Sequence, residues 1–260
     1  MDMIIDVVSL NLQDFRGGTI WSVIVSIHNA IQAIGLGLLV IFFLIGVLKT
    51  CFSWEEVKRP EVAITLFIRF AVARALVVYG MDLMLSLFGF GLGVINQIVV
   101  AAMGAGADGA TMPEAIRTTI ESLGFFRGIW VGILALLGTL GIIALSYVML
   151  LSAYQRFFKL YIYVAVSPIP LSSFAGQPTS TIGTSFLKSF GAVCLEGAII
   201  VLAMVIFNAF ASSPPLINLD ASPTVQVMTY LGETLFTMLV LVGLVRMADR
   251  VVREMLGLYT

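Results

Sequence analysis

The chain has 260 residues, 60% of them hydrophobic and only 11% charged, where a soluble domain carries about 25% charged residues. That composition excludes a soluble globular fold. The formal net charge of −1 excludes a global attraction to nucleic acid, so any basic contact has to be local.

Apolar runs recur at 30–48, 62–81, 83–103, 129–151, 190–211 and, with its flanks, 234–245. A spanning helix needs about 20 mostly apolar residues, and lipid offers the backbone no partner, so helices are the natural spanning element. The expected fold is all-α: a polytopic transmembrane protein forming a single transmembrane domain over 1–260.

The first residues carry Asp2, Asp6 and Asp14, with Arg16 as the only early base. A secretory signal begins basic, so this stretch is expected to be a short amphipathic or interfacial segment. His28 follows near the end of the first span with Asn29 and Gln32 beside it. It has no metal-ligating partner at helical spacing and reads as a satisfied interfacial histidine. Cys51 and Cys194 fit no metal spacing and imply no disulfide framework; they are expected to be small buried apolar residues.

Positive charge sets the expected orientation. The stretch "LKTCFSWEEVKRPE" (48–61) contains Lys49, Lys58 and Arg59, and the tail "RMADRVVREM" (246–255) contains three arginines. Both are assigned to the cytoplasm. "ASSPPLINLDASPTVQ" (211–226) has no base and is assigned outside. The N-terminus is then outside and the C-terminus inside.

Residues 62–104 form a nearly continuous apolar stretch, about 64 Å long as a single helix. One reading is a long helix loosened at Gly80 and at "GFGLG" (89–93), for five spans in all. The other is a hairpin, for seven. Five is preferred, because "SPIP" in the middle of a seventh span would remove two backbone donors where lipid supplies none. Residues 156–176 are then a proline-broken re-entrant or interfacial segment, with Arg156 and Lys159 at the cytoplasmic headgroups.

The polar insert 105–128 is placed outside the cytoplasm. Within it, Thr111 and Glu114 make a capping box, Pro113 suits a first helical turn and Gly124 can end the helix. Gly124, Gly128 and Gly132 recur every fourth residue, the small-residue spacing that lets helices approach closely. They are candidate packing positions, within the chain or between subunits.

Arg69, Arg74, Asp82, Glu196 and Glu233 lie in or at the edge of apolar runs. A charge at mid-membrane costs at least about 2.5 kcal/mol, so such residues pair or line a wet path. Arg69 and Arg74 are expected to pair with Asp82, Glu196 or Glu233. Pro168, Pro170, Lys188 and Glu196 are expected to shape the cytoplasmic mouth of a channel, with Lys188 and Glu196 roughly on one helical face. No phosphate-binding loop occurs. No catalytic, cofactor-binding or metal-binding constellation stands out, so the chain is read as a non-enzyme without a cofactor.

The order "YQRFFKLYIYVAVSPIPLSSFAG", then "QPTSTIG", then "TSFLKSFGAVCLEGAIIVLAMVIFNAF" resembles the TrbL family. That family is the polytopic inner-membrane subunit of conjugative type IV secretion systems, and the likeness is to its short forms in conjugative elements of Gram-positive bacteria. It covers roughly residues 129–211 and rests on diffuse patterns.

The resemblance implies a channel or assembly-platform subunit in the cytoplasmic membrane, through which single-stranded DNA with attached protein leaves the donor. It also implies a homo-oligomeric ring, a pentamer, working beside cytoplasmic ATPases and a coupling protein. Larger relatives have a longer exported loop than 105–128. The rival readings are a small-solute or ion secondary transporter and a toxin-like pore.

Overall fold

The computed structural model describes residues 2–51, 60–104, 125–211 and 222–258. The expectations for Thr111, Pro113, Glu114 and Gly124, and for the loop after 211, lie outside these residues. The described residues are helical almost throughout. Helix α1 spans Asp2–Ser9, and a short 3-10 turn at Phe15–Gly18 leads into α2, Thr19–Cys51. Then come α3 (Pro60–Val78), α4 (Gly80–Gly104) and α5 (Phe125–Val166). A short helix α6 (Pro168–Ser172) and a 3-10 turn (Ser173–Ala175) precede α7 (Ser180–Ala211) and α8 (Pro223–Met255).

Four of these helices contain stretches long and apolar enough to cross a membrane: Thr19–Thr50, Gly80–Ala102, Ala135–Val166 and Ser180–Ala211. The 19-residue α3 is less apolar and carries Glu61, Arg69 and Arg74. The 234–245 run lies within α8.

The chain path separates the two readings of 62–104, long helix or hairpin, and narrows the break within 156–176. Residues 62–104 do not fold back as a hairpin. Tyr79 N–H donates to Ala75 O (2.8 Å) and Leu83 N–H to Tyr79 O (3.0 Å), so α3 and α4 meet at a bend with helical bonds on both sides. "GFGLG" simply continues α4. The broken segment also begins later than residue 156. Residues 156–166 are the last turns of α5, a helix of 42 residues; the interruption is confined to 167–179. Arginine, lysine and aromatic residues sustain a helix through 156–163, and only Pro168, which has no N–H, stops it.

The chain divides into two compact units. One comprises Met1–Val8, Ile95–Tyr154 and Ala198–Ala248; the other Ser9–Val94, Gln155–Gly197 and Asp249–Thr260. In the first, α5 and α8 approach closely. A Cβ at Gly138 would come 3.1 Å from Leu231, and one at Gly141 would come 2.9 Å from Leu235.

In the second unit, α6 and its 3-10 turn pack on α2 and α3. Leu39, Ala73, Val77, Leu171 and Ala175 form the core there, with Phe42, Phe70 and Phe174 at its edge. The broken arm runs along α2 instead of lying across its end. Val164 is beside His28, Pro168 beside Gly35, and Gly176 beside Gly46. Eighteen residues of α2 rise about 27 Å, close to the hydrocarbon thickness of about 30 Å. Residues 164–176 therefore run alongside α2 over nearly the length of a span. The reason is packing: Gly35 lacks the Cβ that would stand 2.7 Å from Pro168 O, so α2 accepts the arm against its backbone.

Candidate functional site

The arm's backbone accounts for its own polar groups. Val164 O would normally accept from the N–H four residues on, but that residue is Pro168. Three donors replace it: His28 Nδ1 at 2.9 Å, Ser167 Oγ at 2.9 Å and the Ser167 N–H at 3.4 Å. A carbonyl oxygen only accepts, so His28 carries its hydrogen on Nδ1 in this contact. Further along, Ser172 Oγ donates to Ile169 O (2.6 Å) and Ser173 Oγ to Pro170 O (2.7 Å). Thr179 Oγ1 reaches Ser173 O at 2.8 Å and Gly176 O at 3.2 Å. The hydroxyls of "SPIPLSS" and Thr179 thus supply locally the donors that water would give in a loop.

Gln32, one turn beyond His28, does the same at the other break. Its Nε2 donates to Val77 O (3.2 Å) and Val78 O (3.1 Å), where α3 bends into α4. Two polar residues on one face of α2 therefore serve both interruptions. The sequence reading of His28 as a satisfied histidine had the right chemistry. Its partner, 136 residues away, left no local signal.

Arg156 is not at a headgroup. Its side chain is fully buried, at 0% exposure, which corrects the expectation. Nε donates to Val193 O (3.1 Å) and Nη2 to Cys194 O (3.1 Å) on α7. The guanidinium carbon stands 5.9 Å from the centres of both the Phe88 and Phe157 rings, within cation–π range. Two glycines make room. A Cβ at Gly197 would overlap the guanidinium, and one at Gly91 would come 3.0 Å from Cys194 O. Arg156 thereby ties α5 to α7 beside α4. Cys194 is a free thiol and buried.

Lys159, one turn on, is half-exposed and bridges two carboxylates. Its Nζ is 3.6 Å from Glu196 Oε2 and 3.2 Å from Asp249 Oδ1. Asp249 also holds Arg253 at 3.0 Å. Glu196 is buried, and its Oε2 has no hydrogen-bond partner among the described residues; the Lys159 ammonium and, after it, the Arg156 guanidinium offset its charge. The run Glu196–Lys159–Asp249–Arg253 joins α7, α5 and the end of α8.

The remaining expected residues are placed apart from this cluster. Arg69 and Arg74 have no carboxylate within ion-pair distance among the described residues; Arg74 and Asp82 are exposed, and Arg69 is half-buried. The expected pairing of these arginines with Asp82, Glu196 or Glu233 is therefore corrected, since Lys159 takes Glu196. Glu233 is half-buried, and its Oε2 has no hydrogen-bond partner among the described residues.

Lys188 is exposed whereas Glu196 is buried, so those two do not share a surface. Pro168 is buried and Pro170 half-buried in the arm. Gly132 has open space where a Cβ would stand, and Gly128 lies in α5. Within the chain, close helix approach uses Gly35, Gly91, Gly138, Gly141 and Gly197 instead.

The sequence assigned the N-terminal residues and the 246–255 tail to opposite membrane faces. The structure brings them together. Phe15 stacks on Phe157 at 4.3 Å, and Tyr161 Oη donates to Leu12 O at 2.8 Å; Lys159, between those two residues of α5, holds Asp249.

The apolar helices define a multi-pass helical membrane protein. No protein-family model, curated protein or solved structure matches the chain.

Proposed function

We propose that this chain is a channel or assembly-platform subunit of a conjugative type IV secretion system, taking part in export of single-stranded DNA with attached protein. It would reside in the cytoplasmic membrane as a homo-oligomer and work beside cytoplasmic ATPases and a coupling protein. The carrying observation is the residue order across 129–211, which resembles the TrbL family. What supports its use as one functional part is that the same stretch builds the long helix, the broken arm and the following helix in sequence.

A secondary transporter of small solutes or ions is the second reading. A discontinuous helix at membrane depth, beside buried charges such as Arg156 and Glu196, is a feature those proteins use at their binding sites.

The test is transfer frequency from a donor strain lacking the gene and complemented in trans, at matched membrane abundance. Loss of transfer on deletion, restored by the wild type, supports export. Glu196→Ala and the double Pro168→Ala, Pro170→Ala variant should both lower transfer, and Glu114→Ala should lower it less. Unchanged transfer on deletion, with altered solute or ion flux, would sink the conjugation reading in favour of the transporter.

A further inference from the structure

Helix α4 is apolar enough to cross a membrane between Gly80 and Ala102, yet its outward face is polar. Asp82, Ser86, Gly89, Gly93, Asn96 and Gln97 are all exposed. They fall three or four residues apart, on one face of the helix. Phe90 at the edge of that face and Val100 near its end are the large apolar residues that share the exposure (68% and 66%). Met84 and Phe88 point the other way and are buried, and Gly91 lies against Cys194 O. The middle of α2 is the opposite case: Ile34, Ile41 and Leu44 are turned outward, at 57%, 52% and 53% exposure. Acyl chains suit that surface of α2. They do not suit α4.

The groups on the α4 face have little to satisfy them within the chain. The side chains of Asp82, Asn96 and Gln97 have no hydrogen-bond or ion-pair partner among the described residues, and Ser86 Oγ donates back to Asp82 O (2.8 Å). Bare amides and a carboxylate are costly in hydrocarbon. Gly89 and Gly93 leave the helix backbone uncovered between them, with nothing within 4 Å of where a Cβ would stand. The stripe from Asp82 to Gln97 is about 22 Å long, most of a hydrocarbon core of about 30 Å. A bilayer crossed by α4 therefore holds much of it at depth.

We infer that this face of α4 lines a water-filled path in the membrane, with Asp82 as the charged side chain on it and hydrated cations as the ions it favours. A second copy pressed directly on the face fits less well. Copies inserted in one orientation are related by axes along the membrane normal, which set like residues at like depth. Asp82 would then meet Asp82, and like charges in a contact repel. Contact with an apolar helix would bury the amides unpaired. Water satisfies each of these groups. A DNA channel and a solute transporter would both use such a path, so it depends on α4 crossing a bilayer and not on the conjugation proposal.

The test reads single thiols and measures no DNA transfer, so its failure is separate from a failure of that proposal. In a Cys51→Ser, Cys194→Ala background, Ser86→Cys, Gly89→Cys and Gly93→Cys on α4 are compared with Ile34→Cys and Ile41→Cys on α2. Open space at Gly89 and Gly93 accommodates the new side chains. Charged, water-soluble methanethiosulfonates are added to both sides of membrane vesicles, and modification is read as loss of later maleimide labelling in denaturant. The three α4 thiols should react at least about tenfold faster than the two on α2, because the reacting thiolate forms in water and not in hydrocarbon. At Ser86→Cys a cationic reagent should outpace an anionic one, and Asp82→Asn should remove that preference.

Equal rates on the two helices, or protection of the α4 thiols until detergent is added, overturn the path. Protection together with oxidative cross-linking of Gly93→Cys between copies would give the face to a second copy instead. An anionic reagent that reacts as fast as the cationic one at Ser86→Cys overturns the preference for cations.

Discussion

His28 Nδ1 stands 2.9 Å from Val164 O, the acceptor whose helical donor is missing because residue 168 is proline. A histidine early in the chain thus completes the end of a helix far along it. The contact ties the position of α2 to the point at which α5 stops.

His28→Ala should cost about 0.5–1.5 kcal/mol, the net worth of one hydrogen bond, because Ser167 still donates to Val164 O. Ser167→Ala should cost less, because its backbone N–H remains on the same carbonyl. The double variant should lose less or more than the sum, since both side chains serve one oxygen and neighbours couple. Thermal unfolding in a mild detergent, followed by helical circular dichroism, checks this. Equal stability of His28→Ala and wild type would show that the contact carries nothing.

Gly35→Ala and Gly37→Ala should differ in sign. A Cβ at Gly35 meets Pro168 O at 2.7 Å, whereas one at Gly37 meets nothing within 4 Å. Overpacking at the first should destabilise by about 1–3 kcal/mol. At the second, alanine in place of glycine in a helix should stabilise by up to about 1 kcal/mol. The same melting assay reads both, and a common effect would argue against the arm packing on α2.

Gly197→Ala should be poorly tolerated in the wild type and well tolerated beside Arg156→Ala. The added Cβ collides with the Arg156 guanidinium, and the shorter partner removes the collision. Arg156→Lys should not substitute for arginine, because a lysine ammonium cannot present the planar fork that reaches both Val193 O and Cys194 O. A double-mutant cycle on membrane abundance and melting temperature tests the coupling. Additive losses would mean that the two residues act separately.

Lys159→Met should be the most damaging single change in the charge run. It leaves the buried Glu196 carboxylate without its nearest cation, and a buried group short of its partner costs about 1–3 kcal/mol, lessened here because Lys159 is half-exposed. Glu196→Gln should recover part of that loss when combined with it, because the amide carries no charge. Asp249→Asn should cost under about 1 kcal/mol, as expected for a partly exposed ion pair. Denaturant titration of the purified protein ranks the four, and a mild Lys159→Met would move the offset of Glu196 elsewhere.

Gly132→Leu should leave the stability of the single chain unchanged, since none of the described residues stands within 4 Å of an added Cβ. If subunits meet on this face through small residues, the same change should shift native mass spectra from oligomer to monomer. A fully assembled variant would place the subunit contact on another surface.

The sequence by itself determined the solvent. Low charge and recurring continuous apolar runs of about 20 residues point to a helical membrane protein, because a helix satisfies its own backbone in lipid and a barrel strand would alternate instead. Helix identity for the runs 30–48, 129–151 and 190–211 was legible for the same reason, and so was a break at "SPIP", since proline has no N–H to give. How the broken segment packs along α2 was not legible. That depends on Gly35, Gly46, His28 and Gln32 of α2, whose spacing looks ordinary until the arm is laid against them. The partners of the buried charges were hidden too. Arg156 reads as a basic residue at the end of a span, and only tertiary packing brings α7 carbonyls, two aromatic rings and the gap at Gly197 around it. Local pattern reports what each segment can bury; which segment buries it is settled by side chains that meet across more than a hundred residues of chain.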